Sequence, residues 1–145
     1  AEEGLPITLS ISLHAPNNAL RSQLMPINKL YPVESVLVAG DRYGEKTGRR
    51  VTYEYTLISG MNDEPRHAEE LATLIKGRLA NVNLIPVNPV PERGVLRPDE
   101  KSVKLFEKIL VDKRVNVTIR KEMGKDISAA CGQLRHKVIN EEKAR

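Results

Sequence analysis

The side chain with the greatest chemical reactivity in this sequence is that of its single cysteine, Cys131. It lies between Ala130 and Gly132, beyond a predicted strand, so its neighbours are too small to cover it. A thiolate is a nucleophile and a metal ligand, although a lone cysteine more often serves as a small buried apolar residue. One cysteine also permits no internal disulfide, which is typical of proteins from a reducing cytoplasm.

Polar residues at the ends of apolar segments form a second group of candidates. Ser12, Leu13 and His14 end one such segment, and Asn88 follows another, directly before a proline. Histidine and asparagine side chains offer donor and acceptor atoms to a polar ligand. Each also has an ordinary interpretation: a hydrogen-bonded structural histidine, and an asparagine that begins a turn. Glu54 lies within a predicted strand and has no evident acid–base partner.

The composition predicts one soluble globular domain of 145 residues, with 40% hydrophobic and 29% charged residues. Tryptophan is absent and phenylalanine occurs once, so the core must be mainly aliphatic. No apolar run approaches the ~20 residues that cross a membrane, and no signal peptide opens the chain. We therefore expect a cytoplasmic protein without a membrane partner. The net charge of +4 is a mild basic bias, compatible with phosphate contacts and equally with a charged solvated surface.

The elements that must position these residues alternate in type. Apolar and β-branched patterns predict strands at 6–14, 50–58, 82–86 and 115–120. Helical spacing predicts helices at 20–24 and 32–47, a third running from an Asn62 or Asp63 cap to Leu79, and a fourth that begins at Pro98. Gly40, within the second of these helices, indicates close packing.

Strands that alternate with helices predict βαβ units and a parallel sheet, an α/β fold. In such sheets ligands bind at the carboxyl ends of the strands, which is where Ser12, His14 and Asn88 lie. The first strand has no covering neighbour within the chain, and an exposed edge of this kind leads us to expect further protein upstream.

Several segments together resemble a known family, in order and at the family's spacing from residue 6 to residue 134. They are Ser-Leu-His-Ala-Pro-Asn at 12–17, Arg-Ser-Gln-Leu-Met-Pro-Ile-Asn at 21–28, Gly-Met-Asn-Asp at 60–63, Asn-Leu-Ile-Pro-Val-Asn-Pro at 83–89, and Gly-Lys-Asp-Ile-Ser-Ala-Ala-Cys-Gly-Gln-Leu at 124–134. This pattern resembles the RlmN/Cfr family of radical S-adenosylmethionine rRNA methyltransferases. The resemblance implies the C-terminal part of a partial (β/α) barrel with mostly parallel strands, at 1–139. The charged residues at 140–145 themselves predict a frayed tail.

The resemblance also assigns roles. Residues matching Ser12, Leu13, His14 and Asn88 line the S-adenosylmethionine site in the family, and the cysteine matching Cys131 is the methyl carrier. One S-adenosylmethionine methylates that thiolate, and a second is cleaved reductively to a radical that activates the S-methyl group for addition to adenine. The implied partners are 23S rRNA, tRNA and an electron donor, with a monomer expected at full length. Flanking basic residues are candidates for phosphate contacts: Arg120, Lys121, Arg135, His136 and Lys137.

The sequence lacks several features of the family, including a further cysteine and the Gly-Glu segment and earlier serine of the cofactor site. Family members bind a [4Fe–4S] cluster through three clustered cysteines, and this chain has only Cys131. We therefore expect the cluster to be bound outside these residues, and the chain alone to be inactive. Three alternatives remain: a relative that methylates C8 of adenine instead of C2, a truncated non-catalytic remnant that binds RNA or S-adenosylmethionine, and an unrelated α/β barrel enzyme.

Overall fold

The computed structural model describes residues 7–90, 92 and 94–120, along which strands and helices alternate. The strands are β1 (Ser10–Ser12), β2 (Val51–Leu57), β3 (Ala80–Pro86) and β4 (Val117–Ile119). The helices are α1 (Asn18–Leu24), α2 (Val33–Thr47), α3 (Pro65–Ile75) and α4 (Glu100–Asp112), with a 3₁₀ turn at Pro26–Lys29. Cys131 and the predicted tail at 140–145 lie outside the described residues.

The described strands form one sheet in which each strand pairs in parallel with the next along the chain, in the order β1-β2-β3-β4. This confirms the predicted α/β fold with parallel strands. Because all four strands run the same way, their carboxyl ends meet at one edge of the sheet. We call this edge, formed by 12–14, 57–62, 86–89 and residue 120, the C-terminal edge.

The core lies on one face of the sheet, where alternate residues of β2 and β3 meet the helices. Tyr53, Tyr55, Leu57, Val82 and Leu84 are almost completely buried there. Tyr55 also packs against α4, with its ring centroid 5.3 Å from that of Phe106 and the two rings tilted by 39°. The core is thus aliphatic apart from a few aromatic rings, as its composition predicted.

The residues at the two ends of helix α2 explain where this helix begins and ends. Pro32 precedes its first residue, and Gly48 ends it in a left-handed conformation with φ of 65°. Gly40 faces the sheet, where a methyl group would collide with the hydroxyl of Tyr53. The predicted close packing at Gly40 is therefore confirmed.

The first strand is shorter than the predicted 6–14. It begins pairing where β2 does, since Ser10 lies opposite Thr52 and Leu9 accepts a hydrogen bond from Thr52. Residues before Leu9 extend past the start of β2, and Ile7 is 53% exposed. The alternating pattern predicted extended backbone there, but no described strand lies opposite it.

The prediction of the third helix was wrong at both ends. Its N-cap is Glu64 rather than Asn62 or Asp63, and it ends at Ile75 instead of Leu79. Gly77, with φ of 82°, turns the chain towards β3, so Leu79 is 50% exposed and precedes a strand. The fourth helix also begins two residues after Pro98, where the carboxylate of Asp99 caps the amide of Ser102. None of the described helices is long and apolar enough to cross a membrane.

Candidate functional site

The C-terminal edge brings together several residues that the sequence singled out. Ser12 and His14 lie at the end of β1, and Asn88 lies two residues beyond β3. Strand β2 separates β1 from β3, so the two groups are about 10 Å apart at the level of the strands. The predicted placement of these residues at one edge is confirmed, whereas their role in binding stays a prediction.

His14 adopts a left-handed backbone with φ of 59°, which is uncommon for residues other than glycine, although histidine adopts it more often than most side chains do. Its ring Nδ1 accepts a hydrogen bond of 3.0 Å from the backbone N–H of Thr56, and its carbonyl accepts one of 2.9 Å from Asn62. These contacts attach the end of β1 to β2. An unusual backbone held by several contacts is typical of functional sites.

The hydrogen bond to Nδ1 also determines the protonation of the ring. A nitrogen that accepts from an N–H carries no proton, so the neutral ring of His14 has its proton on Nε2. Burial lowers the pKa of His14, while the nearby carboxylate of Glu54 raises it and the guanidinium of Arg21 lowers it further. At neutral pH, His14 therefore offers an Nε2–H donor, and this atom makes no hydrogen bond with a described residue.

Asn62 is the buried polar residue that holds this end of the site together. It is 0% exposed, and its Nδ2 donates to the carbonyls of His14 and Thr56 at 2.9 and 2.6 Å. Its Oδ1 accepts from the N–H of Ile58 at 2.7 Å, and its carbonyl accepts from the hydroxyl of Tyr55. The sequence predicted Asn62 only as a helix cap, because a capping asparagine and one that links two strands look alike in sequence.

Arg21 supports the same edge from α1, and sequence reasoning assigned it no role. Its guanidinium is almost completely buried and donates to the carbonyls of Ser12 and Leu13, at 3.3 and 3.1 Å. It also donates to the side chain of Asn28 and the carbonyl of Tyr31, at 2.8 and 2.9 Å. Burial lowers its pKa, but an arginine stays charged at any physiological pH. A buried charge that donates to four neutral oxygens fixes the backbone of the site.

The backbone carbonyls at the end of β1 are already engaged within the protein. Those of Ser12, Leu13 and His14 each accept an internal hydrogen bond. The side chain of Leu13 is 0% exposed and packs in the core. The groups left for a ligand are therefore the hydroxyl of Ser12, the Nε2–H of His14 and the second lone pairs of the carbonyls.

Asn88 is half-buried, and its side chain makes no hydrogen bond with a described residue. The neighbouring Val87 still pairs with β2 through the carbonyl of Leu57, at 3.0 Å, so Asn88 leaves the sheet from a fixed position. The loop that follows is closed by a bridge between Val90 and Val95. The turn interpretation and the ligand interpretation of Asn88 are both compatible with this geometry.

Other predicted features are not brought together here. Cys131, Lys121, Arg135, His136 and Lys137 lie outside the described residues, while Arg120 is exposed at the end of β4. Two clefts that described residues line are elsewhere: one of about 370 Å³ at the opposite edge near Asp41 and Arg78, the other of about 280 Å³ between β1, α1 and α2. Within the described part of the chain, no group of acidic, histidine or cysteine residues could hold a metal ion.

Comparison with known proteins identifies the family. The chain is 58% identical over 138 residues to a protein of Symbiobacterium thermophilum named as a probable dual-specificity RNA methyltransferase RlmN. It is 57% identical over 142 residues to the protein of the same name from Bacillus thuringiensis. By sequence, the chain belongs to the RlmN family. It matches the C-terminal part of the family's members.

The structural comparison agrees with this assignment to the RlmN family. The crystal structure of a radical S-adenosylmethionine methyltransferase from Sphaerobacter thermophilus matches 89% of the chain, with a TM-score of 0.85 and 50% identity. A domain of a pyruvate-formate lyase-activating enzyme from Bacteroides vulgatus shares the fold at 20% identity, with a TM-score of 0.65. No family model matches the chain.

The match to RlmN proteins is nearly complete for the chain and partial for its relatives. It covers 94% to 98% of the chain but only 37% to 39% of the relatives' length, and 38% of the Sphaerobacter protein. The chain thus spans little more than a third of the proteins it resembles.

Proposed function

We propose that this chain is the C-terminal part of a dual-specificity RNA methyltransferase that methylates C2 of adenine in 23S rRNA and in tRNA. The proposal rests on one observation, the 57% to 58% identity to proteins named RlmN across 94% to 98% of the chain. Such similarity over a whole barrel segment makes an unrelated α/β enzyme untenable. By the full-length protein we mean the longer protein of which, in this proposal, the chain is the C-terminal part.

The C-terminal edge fits S-adenosylmethionine. This cofactor has donors and acceptors on its ribose, base and amino-acid groups, and the edge offers polar atoms that no described residue satisfies: the Ser12 hydroxyl, the His14 Nε2–H and the Asn88 amide. When bound, the cofactor supplies a methyl group and, after reduction by an iron–sulfur cluster, the means to activate a C–H bond. The part played by these residues is to bind and orient it.

The residues of this chain do not fit the cluster. A [4Fe–4S] cluster requires several thiolates, and the sequence contains one cysteine. We therefore propose that the cluster is ligated by another part of the full-length protein, where an electron donor reduces it. The chain alone should bind no cluster and methylate no RNA.

Cys131 is the proposed methyl carrier. Ordinary transfer from a sulfonium needs a nucleophilic acceptor, and C2 of adenine is not one. A thiol that first accepts the methyl group and later gives up its carbon divides the reaction into feasible steps. RNA would present its target adenine to the C-terminal edge by extruding the base from its stack. We expect this chemistry in a cytoplasmic, monomeric enzyme.

The test is analysis of nucleosides from cells that lack their own enzyme of this type. The full-length protein should produce 2-methyladenosine in both 23S rRNA and tRNA, measured by liquid chromatography and mass spectrometry. Expression of this chain alone should produce none. The appearance of 8-methyladenosine would instead identify the C8-methylating relative, and no methylated adenine from the full-length protein would identify a non-catalytic remnant.

A further inference from the structure

The face of the sheet opposite the helices is polar, which is unusual for parallel strands. Parallel sheets are normally covered on both faces and consist of nearly continuous apolar runs. Here β2 and β3 alternate instead: buried residues face the helices, and the half-buried residues between them are polar except for Ile85. These polar residues include Thr52, Glu54 and Thr56 on β2, and Asn81 and Asn83 on β3. The second face is therefore built to meet polar groups.

Strand register aligns four of these polar residues into one row across the sheet. Ser12 lies opposite Glu54, Glu54 opposite Asn83, and Asn83 opposite Thr118. We call these residues the polar row. Adjacent strands are about 5 Å apart, so the side chain of Glu54 lies directly beside that of Ser12. The row continues the proposed cofactor site from the C-terminal edge onto the face of the sheet.

Glu54 is the one charged residue within the four described strands. Its side chain is half-buried and forms no hydrogen bond or ion pair with a described residue. Asn83 and Thr118 differ in this respect, because the Thr118 hydroxyl donates to Asn83 at 3.4 Å. A carboxylate withdrawn from water is costly unless a donor or a cation meets it. The carboxylate of Glu54 is thus a strong acceptor in the polar row that no donor of the described residues meets.

We propose that the polar row forms the floor of the S-adenosylmethionine site and that Glu54 binds hydrogen-bond donors of the cofactor, either its ribose hydroxyls or its α-ammonium group. This rests on the proposed function, in which Ser12, the neighbour of Glu54, lines that site. A carboxylate accepts from two hydroxyls at once, and it also pairs with an ammonium group, so the two sources share one acceptor. The assignment extends the site from the strand ends to a residue in the middle of β2.

The experiment measures binding to the cluster-loaded full-length protein by equilibrium dialysis, using S-adenosylmethionine and 5′-methylthioadenosine. The second probe keeps the ribose hydroxyls and lacks the amino-acid group. The variant Glu54→Gln removes the charge and keeps the shape, and it should weaken S-adenosylmethionine binding by about tenfold, the effect of losing one charged hydrogen bond. Equal weakening for both probes identifies the ribose, and weakening for S-adenosylmethionine alone identifies the ammonium group.

Two further variants keep the outcome decisive. Glu69→Gln removes the same charge from the exposed face of α3 and should leave binding of both probes unchanged. Glu54→Asp keeps the charge on a shorter side chain and should bind more tightly than Glu54→Gln. If Glu54→Gln binds both probes as the wild type does, the proposal is overturned. A wild-type protein that binds neither probe would instead contradict the proposed function itself.

A third result would also overturn the proposal. If Glu54 pairs with a basic residue elsewhere in the full-length protein, Glu54→Gln should lower the unfolding temperature of the ligand-free protein. The rise in that temperature on adding S-adenosylmethionine would then equal that of the wild type. The proposal predicts the opposite: similar ligand-free unfolding temperatures, and a smaller rise in the variant.

Discussion

Among single residues, His14 and Asn62 together hold the end of β1 against β2. The amide of Asn62 bonds the carbonyls of His14 and Thr56, and the N–H of Thr56 bonds the ring of His14. This arrangement fixes both the left-handed backbone and the ring tautomer of His14. Sequence reasoning found His14 through its position at a strand end. It could not find the role of Asn62, because the contacts of Asn62 join residues 48 and 6 positions away.

The neutral state of His14 predicts a pH effect on stability. Burial lowers the pKa of His14 below its ordinary value of 6.5, so the unfolded chain binds a proton at a higher pH than the folded chain does. The stability that His14 contributes is therefore complete above about pH 6.5 and is lost as the pH falls below that value. The variant His14→Asn should lose less stability than the wild type between pH 7 and pH 5, in both cases measured by urea unfolding.

Asparagine is the matched replacement at this position. It tolerates a left-handed backbone, and its Oδ1 can accept from Thr56 as the Nδ1 of His14 does, but it does not titrate. If the wild type and His14→Asn lose stability in parallel as the pH falls, the ring of His14 is not the group responsible.

Asn62→Asp should be strongly destabilising. The substitution preserves shape, yet the carboxylate cannot donate to the two carbonyls, and the site is fully buried. We expect a loss of about 3 kcal/mol in the free energy of unfolding at pH 7. Asn81→Asp is the control, since Asn81 is only half-buried and makes one longer bond of 3.3 Å, to Thr118. Equal losses in the two variants would show that Asn62 has no special role.

At the scale of elements, local signals predicted where some helices end and failed for others. Pro32 and Gly48 mark the start and the end of α2 as expected, since each residue acts on the helix through its own backbone conformation. Leu79 was assigned to α3 because its spacing suits a helix, but Gly77 turns the chain and β3 then begins at Ala80. The order and direction of the strands were predictable from alternation alone. The short extent of β1 was not, because it depends on where its partner β2 begins.

The contact of α2 with β2 gives an element-scale prediction. Gly40→Ala should destabilise the protein by about 1–3 kcal/mol, because its methyl group would collide with the buried Tyr53. Gly44→Ala is the matched control on the same helix, where a methyl group would meet its neighbours at 3.6 Å or more. That variant should be neutral or stabilised by about 0.5–1 kcal/mol through its higher helix propensity. Thermal unfolding of the two variants measures the difference, and a destabilised Gly44→Ala with an unaffected Gly40→Ala would contradict this packing.

At the scale of the whole molecule, the chain is a segment of parallel sheet with one apolar and one polar face. The apolar face carries the helices, and the polar face continues to the C-terminal edge where Ser12, His14 and Asn88 lie. The sequence predicted the edge because strands of a parallel sheet end together. The polar row emerges only from the register of the strands, which pairs residues up to 42 positions apart. Similarity to proteins more than twice as long leads us to expect that other segments complete the site.

The most direct test of the proposed function concerns the thiol of Cys131. The full-length protein, purified from cells under conditions that support cluster assembly, should yield a peptide in which Cys131 carries one additional methyl group, detected by mass spectrometry. The variant Cys131→Ala should lose the methyl group and all RNA methylation while still binding S-adenosylmethionine. An unmodified Cys131 in an enzyme that methylates adenine, or methylated RNA from Cys131→Ala, would contradict the carrier role.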